Sequence, residues 1–139
     1  MLRQLTTILP IRASRPGLKE FTENARAFVA ESEVSEGLLT IFCRHTSASL
    51  LIQENAAPAA RRDLEAYFET IAPEGGSYEH DDEGSDDMPA HLRSALTATQ
   101  LSIPINDGRL LLGTWQGIYL FEHRRNPPDR EIALHVIGE

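Results

Sequence analysis

Cysteine is almost absent from this 139-residue chain, in which Cys43 is the only one. A single cysteine excludes an internal disulfide, so nothing in the composition indicates an oxidising compartment. Long apolar runs are also missing: the first residues lack the apolar stretch of a signal peptide, and no segment approaches the length of a membrane span. We therefore expect a soluble, cytoplasmic protein with no membrane partner.

Lysine is equally scarce, because every basic residue except Lys19 is an arginine. The formal net charge of −8 and the scattered cations argue against nucleic acid as a partner, since its phosphates need clustered positive charge. Individual arginines can still hold a small anion through bidentate contacts. The hydrophobic fraction of 41% is typical of a globular protein, and the length predicts a single domain over residues 1–139.

Apolar periodicity predicts the α+β class. Residues 2–11 alternate like a strand, a helix is expected to open at Pro16-Gly17, and Leu38–Ile52 fits two strand segments or one long bent strand. A second helix follows Asn55, a third follows Asp87, and short strands separated by tight turns complete the chain. Because consecutive strands joined by turns pair antiparallel, we expect a two-layer sandwich with helices packed on a mostly antiparallel sheet.

The most unusual stretch is Tyr78–Leu92, YEHDDEGSDDMPAHL, in which two histidines bracket a run of carboxylates. One interpretation is a solvated loop that leads into a helix, because so charged a run cannot bury itself. The alternative is that the loop carries His80 and His91 to the edge of a pocket. Asp87 would then orient an imidazole or act as an acid or base, although capping the helix is the ordinary role of such a residue.

A third histidine, His45, continues an apolar row at the end of a predicted strand. Zinc needs three or four nitrogen, sulfur or oxygen ligands, and a catalytic site leaves one position open. His45, His80 and His91 are therefore candidate ligands for a divalent metal, although no local motif such as H-x-x-x-H supports them. His123 and His135 are interpreted as surface or interface groups.

Glu122 shares a predicted apolar strand face with Ile118 and Leu120. A carboxylate on such a face needs a partner, so Glu122 belongs either to a buried ion pair or to a site that shifts its pKa. Both alternatives stay open, and Glu122 and Asp87 are the candidate catalytic residues. Nucleotide-binding glycine motifs and a G-x-S-x-G nucleophile motif are absent, and Cys43 is predicted to lie in the core.

Three separated segments resemble the YjbQ family in the correct order: HTSASLLIQENA (His45–Ala56), DDMPAHL (Asp86–Leu92) and PINDGRLLLGTWQGI (Pro104–Ile118). Members of this family are often labelled "secondary thiamine-phosphate synthase". The resemblance runs over nearly the whole chain. It implies an α+β fold and a compact homotrimer with pockets near the subunit boundaries.

The resemblance also implies a site. By motif, the presumed metal ligands of the family correspond to His45, His80 and His91, which supports a divalent metal, with zinc as the leading candidate. The same motifs contain residues expected to line or support the site: Thr46, Ser47, Asn55, Trp115 and Gln116 as substrate contacts, and Asp87 and Glu122 as catalytic groups.

The family label is difficult to reconcile with the sequence. An enzyme that makes thiamine phosphate must stabilise a departing pyrophosphate with cations and backbone amides. This chain has no phosphate-cradling glycine loop, and its candidate pocket is acidic. The main hypothesis is therefore a metal-dependent enzyme, of the hydrolase kind, acting on a small polar or phosphorylated molecule, with thiamine-phosphate synthesis as a weak side activity. The alternative is a non-catalytic trimer that binds a metal or a small-molecule ligand.

Overall fold

The structure, a computed structural model, describes residues 1–139 and contains eight strands and three helices. In chain order they are β1 (Arg3–Ile11), β2 (Gly17–Glu20), α1 (Thr22–Ser32), β3 (Gly37–Cys43), β4 (Ala48–Glu54), α2 (Pro58–Ile71), α3 (Asp87–Leu96), β5 (Gln100–Asn106), β6 (Arg109–Leu110), β7 (Gln116–Glu122) and β8 (Arg130–Gly138). The strands form two antiparallel sheets, in the orders β1-β8-β3-β5-β6 and β2-β7-β4. No helix is long and apolar enough to cross a membrane.

The main core lies between the two sheets, because alternate residues of each strand point to the same face. Leu39 and Ile41 of the large sheet meet Leu50 and Leu120 of the small sheet in one buried cluster. Helix α1 adds Phe28 and its neighbours to this cluster. Helix α2 covers the outer face of the small sheet, where Leu64 and Phe68 pack against Leu18, Tyr119 and Phe121.

The α+β class and the antiparallel pairing are confirmed, but the strands are divided between two sheets rather than gathered in one. The division arises at residues 44–47, which separate β3 from β4. Strand β3 pairs with β5 and β8, whereas β4 pairs with β7. Leu38–Ile52 therefore contributes one strand to each sheet.

The predicted start of the first helix at Pro16-Gly17 is wrong. Gly17 has a φ of 127°, which other residues rarely adopt, and it begins strand β2. Leu18 pairs with Phe121 of β7, and α1 begins only at Thr22. The three-residue step from Leu18 to Phe21 fits a helical stripe equally well, so periodicity alone could not separate the two structures.

The outer face of the large sheet carries apolar side chains on both sides of a polar row that contains Thr6, His135 and Thr40. Ala133 of β8 pairs with Ile8 of β1 on one side and with Phe42 of β3 on the other. Ile137 of β8 pairs with Leu38 of β3. Ile8, Leu38 and Phe42 are 43%, 38% and 46% exposed. Since four neighbouring strands share this face, the exposed side chains form one surface rather than scattered positions.

His123 is a core residue, so its interpretation as a surface group is wrong. It is 2% exposed, and its Nε2 lies 2.9 Å from Ser49 Oγ. Burial, assisted by the charges of Arg93 and Arg130, lowers the pKa of His123 to about 3. The imidazole is therefore neutral at physiological pH.

This burial predicts acid sensitivity that His123→Gln should reduce. Because the folded-state pKa lies below the unfolded value of about 6.5, the unfolded chain takes up a proton first, and stability falls as the pH drops from about 6.5 towards 3. The loss from this group between pH 7 and pH 4.5 should be on the order of 2–3 kcal/mol. The free energy of unfolding in urea at the two pH values measures it.

The control is His135→Gln, which changes an imidazole on the outer face of β8, where its Nε2 contacts Gln4. Only His123→Gln should flatten the acid dependence, and its amide can still bond to Ser49. If the free energy of unfolding falls equally with pH in both variants and in the parent chain, the prediction is contradicted.

Candidate metal centre

The acidic loop and the first turn of α3 bring three potential ligand atoms together. Asp87 and His91 are four residues apart and therefore share one helix face, with His91 Nε2 at 3.2 Å from Asp87 Oδ2. His80 reaches the same oxygen from the loop, with its Nε2 at 2.7 Å. The three donor atoms lie within 4.8 Å of one another, and the chain offers no such group around His45.

The orientation of His91 is fixed from its other side. Its Nδ1 lies 3.1 Å from the backbone oxygen of Thr46, which only accepts hydrogen bonds, so Nδ1 carries the proton. Nε2 faces Asp87 Oδ2 at 3.2 Å, and both atoms are acceptors unless Nε2 also carries a proton. Two acceptors in contact require a proton or a cation between them. A backbone carbonyl on the outer nitrogen is the usual support of a metal-ligating histidine.

Asp87 is buried and ionised. Although burial opposes its charge, the hydrogen bond with His80 and the charges of His91 and Arg124 hold the pKa of Asp87 below its usual value. Arg124 Nη1 donates to Oδ1, which leaves Oδ2 for the two histidines. The helix-capping interpretation of Asp87 is wrong, since Asp86 occupies the N-cap position and makes no side-chain cap bond.

The His80 side of the cluster is open to solvent and carries further carboxylates. The hydrogen bond with Asp87, followed by the charge of Glu83, raises the pKa of His80. Asp82 Oδ1 lies 3.6 Å from His80 Nδ1, and Glu83 Oε2 lies 3.7 Å from Nε2. The same negative field that favours an imidazolium also favours a divalent cation at this place.

His45, the expected third histidine ligand, lies outside this cluster. Its Nε2 accepts a hydrogen bond from the backbone N–H of Glu131 at 2.8 Å. Burial, then the charge of Arg130, lowers the pKa of His45. Strand β3 ends at Cys43, so the alternation that pointed His45 inward stops two residues earlier. Within this chain Asp87, and not His45, lies beside His80 and His91.

Comparison with known proteins identifies the family of the chain. The model of the UPF0047 protein YjbQ-like family matches residues 7–139. The chain belongs to the YjbQ family. It is 53% identical to the UPF0047 protein sll1880 of Synechocystis sp., over 99% of this chain and 94% of that protein. It is 47% identical to the UPF0047 protein YjbQ of Escherichia coli O157:H7, over 76% of this chain and 77% of that protein.

Solved structures agree with the fold. A YbjQ-like protein of unknown function from Sulfolobus solfataricus superposes with a TM-score of 0.93, at 22% identity and over the whole of both chains. An uncharacterised YjbQ/UPF0047 family protein from Clostridium acetobutylicum gives a TM-score of 0.82 at 33% identity, over 95% of this chain and 98% of that one. The two-sheet architecture is therefore that of the YjbQ family.

The predicted substrate contacts of this YjbQ chain lie in two places. Thr46 and Ser47 lie just before β4 and beside the cluster. At this end of the strand Ala48 pairs with Glu122 of β7. The other three lie at the opposite end of the same strand pair, where Glu54 pairs with Gln116; they are Asn55, Trp115 and Gln116. Six strand steps separate the two ends by roughly 20 Å. A single chain does not bring all five residues into one pocket.

Glu122 belongs to a buried ion pair. The sequence had left open both this pair and a site that shifts the pKa of Glu122. Arg130 Nε donates to Oε1 at 2.7 Å, and Arg130 Nη2 donates to Oε2. The backbone N–H groups of His123 and Arg124 also donate to Oε2, at 3.0 and 3.1 Å. Both oxygens are thus engaged within the protein. Glu122 alone signalled this pair in the sequence, whereas nothing there distinguished Arg130 from the other arginines.

Replacing Glu122 should therefore affect stability. Glu122→Gln leaves Arg130 buried without a counter-charge, so the free energy of unfolding should fall by about 3–5 kcal/mol. Glu131→Gln removes the carboxylate of an exposed pair with Arg44 and should cost less than about 1 kcal/mol. Urea unfolding compares the two variants. Parent-like stability in Glu122→Gln would contradict the structural role.

Proposed function

We propose that this YjbQ protein is a cytoplasmic, metal-dependent enzyme acting on a small polar or phosphorylated molecule, with a divalent ion held by His80, Asp87 and His91. The observation that carries the proposal is the contact between His91 Nε2 and Asp87 Oδ2. Nδ1 donates to the carbonyl of Thr46, so Nε2 faces the carboxylate, and a cation bound between Nε2 and Oδ2 would take the place of a proton shared there.

Two imidazole nitrogens and one carboxylate oxygen suit zinc and other borderline first-row ions. Ligand atoms around tetrahedral zinc lie about 3.3 Å apart at ordinary bond lengths. The contacts of His80 and His91 with Asp87, at 2.7 and 3.2 Å, differ from this by less than an ångström. Three protein ligands leave a fourth position open, as in catalytic rather than structural zinc sites. An ion bound there supplies Lewis acidity and lowers the pKa of a water molecule.

The residues around the ligands have two roles, positioning of the carboxylate ligand and proton transfer. Arg124 holds Asp87 Oδ1 and Asp86 Oδ2 and so fixes the carboxylate ligand. Glu83 is exposed at the rim, 3.7 Å from His80 Nε2, and is placed to move a proton to or from a substrate. Because Arg130 engages both oxygens of Glu122, we assign proton transfer to Glu83 and ligation to Asp87.

The same contacts favour water-dependent chemistry over pyrophosphate transfer. Arg124 is the cation beside the cluster, and its donors are engaged by Asp86, Asp87 and the backbone oxygen of Glu83. Each nitrogen of Arg124 is thus engaged, which leaves the proposed ion itself as the main partner for a departing pyrophosphate. We therefore keep thiamine-phosphate synthesis as a weak side activity only.

Metal analysis tests the centre. After purification without chelators, we expect about one divalent ion per chain by elemental analysis. His91→Ala and Asp87→Asn should lose it, whereas His135→Ala, which removes an imidazole outside the cluster, should retain it. A parent chain that binds neither zinc, manganese, cobalt nor iron, even when these are added, would disprove the metal centre.

Turnover separates the enzyme from the non-catalytic alternative. With chromogenic phosphate and carboxylic esters as substrates, Glu83→Gln should keep the metal and lower turnover by about 100-fold, the usual contribution of a positioned acid or base. Asp81→Gln, an exposed carboxylate of the same loop that makes no contact with the cluster histidines, is the matched control. Stoichiometric metal without turnover on any ester would favour the binding module.

The proposal includes a homotrimer whose subunits meet through the outer face of the large sheet. That face exposes Ile8, Leu38 and Phe42 on the two strands that flank β8, and exposed apolar side chains of this kind are often covered by protein contacts. A neighbouring copy also offers a way to unite the two separated groups of predicted substrate contacts, one of which contains Trp115, 63% exposed. The site would then need two subunits.

Phe42→Arg should convert the trimer into the 15.5 kDa monomer, because a charge at the centre of an apolar contact must lose its water. Light scattering after gel filtration measures the mass. Tyr67→Arg is the matched control, since Tyr67 is an exposed aromatic residue on α2, away from the sheet face. An unchanged mass in Phe42→Arg would exclude this face as the contact.

A further inference from the structure

A polar cavity of about 220 Å³ lies away from the candidate metal centre, between the turn that precedes β2, the strand itself and the first turn of α2. Three cationic side chains line it, Arg15, Lys19 and Arg61, together with one carboxylate, Glu20. This is an excess of positive charge in a chain whose formal net charge is −8. No residue of the candidate metal centre lines this cavity.

Arg61 is held in place without a counter-charge. Its Nη2 donates to Tyr119 Oη at 3.1 Å, and its guanidinium carbon lies 5.1 Å from the centre of the same ring. No carboxylate oxygen lies within 4.0 Å, and Nε is shielded from solvent without an acceptor. Nη1 makes no hydrogen bond within the protein, so this guanidinium keeps donors for an acceptor in the cavity.

Lys19 has hydrogen-bonding capacity to spare. Its Nζ donates one bond, at 2.6 Å, to the backbone oxygen of Arg12 and makes no ion pair, which leaves two of its three N–H donors. The carboxylate of Glu20 is engaged elsewhere, because its Oε2 accepts bonds from Thr22 and Asn55. It therefore does not neutralise Lys19 through a direct contact.

Arg15 completes the basic wall more weakly. Its Nη1 donates to the backbone oxygen of Pro16 at 3.0 Å and lies 3.6 Å from Glu65 Oε2, so part of its charge is already balanced. Lys19 and Arg61 thus provide the two charges that no carboxylate contacts. Both residues line the cavity, and a guanidinium fork together with an ammonium matches an oxyanion that carries two negative charges.

We propose that this cavity binds a phosphate group, either as free phosphate or as part of a small phosphate ester. The inference does not depend on the metal centre. The cations recognise the oxyanion through charge-assisted hydrogen bonds, which are about twice as strong as neutral ones. The open, polar cavity leaves room for a small substituent on the phosphate.

Calorimetric titration of the purified protein with inorganic phosphate, and separately with glycerol 2-phosphate, tests the site. Arg61→Gln and Lys19→Gln should each weaken binding at least about tenfold, the effect of losing one charge-assisted hydrogen bond. Arg62→Gln, at the neighbouring exposed arginine outside the cavity, should change it less than about twofold. Lys19 is exposed, so its variant tests the site without disturbing the buried Tyr119 contact.

Asp87→Asn separates this site from the metal centre, because it should leave phosphate binding intact. Tighter binding of glycerol 2-phosphate would identify an ester as the source of the group, and tighter binding of inorganic phosphate would identify the free ion. The proposal is overturned if neither probe binds, if Arg61→Gln and Lys19→Gln bind like the parent chain, or if binding is lost with Asp87→Asn alone.

Discussion

The buried ion pair between Glu122 and Arg130 is the interaction on which the candidate centre depends. It lies at the end of β7 and joins that strand to the start of β8. Glu122 also accepts the backbone N–H of Arg124, which directs this arginine towards α3, where it holds Asp87. Removal of either partner would leave an uncompensated buried charge, so the pair fixes the local backbone firmly. The position of the carboxylate ligand is thus set by a pair that contacts neither cluster histidine.

The break between β3 and β4 has two consequences. It sends β3 into the large sheet and β4 into the small one, which creates the two-layer core. It also exposes the backbone of residues 44–47, and the carbonyl of Thr46 is there bonded to His91 rather than to another strand. A backbone oxygen that makes no hydrogen bond within a sheet can accept one from an imidazole and so orient the ring. A carbonyl that is bonded to a neighbouring strand is already paired. The feature that separates the sheets therefore also supports the centre.

Sequence reasoning found those parts of the fold and site that local pattern determines. Alternation placed Leu39, Ile41 and Cys43 in the core, and the loop pattern and family motifs selected His80 and His91. The remaining features depend on contacts between distant segments. Asp87 resembles a helix cap until Arg124 and His80 are brought to it, and His45 seems a ligand until the strand is seen to end at Cys43. The partners of Glu122 and His123 likewise come from other strands. Alternation indicated the burial of Glu122 but not the cation that balances it, and the burial of His123 had no local signal in the sequence.

The arginines of this acidic protein serve two different purposes. Arg124 and Arg130 are committed to buried or half-buried carboxylates, and they organise the acidic end of the molecule, where a cation is favoured. Arg61 and Lys19 have no carboxylate partner and line a cavity beside α2, where an anion is favoured. The proposed metal and phosphate sites share no residue, so occupation of one would leave the residues of the other free.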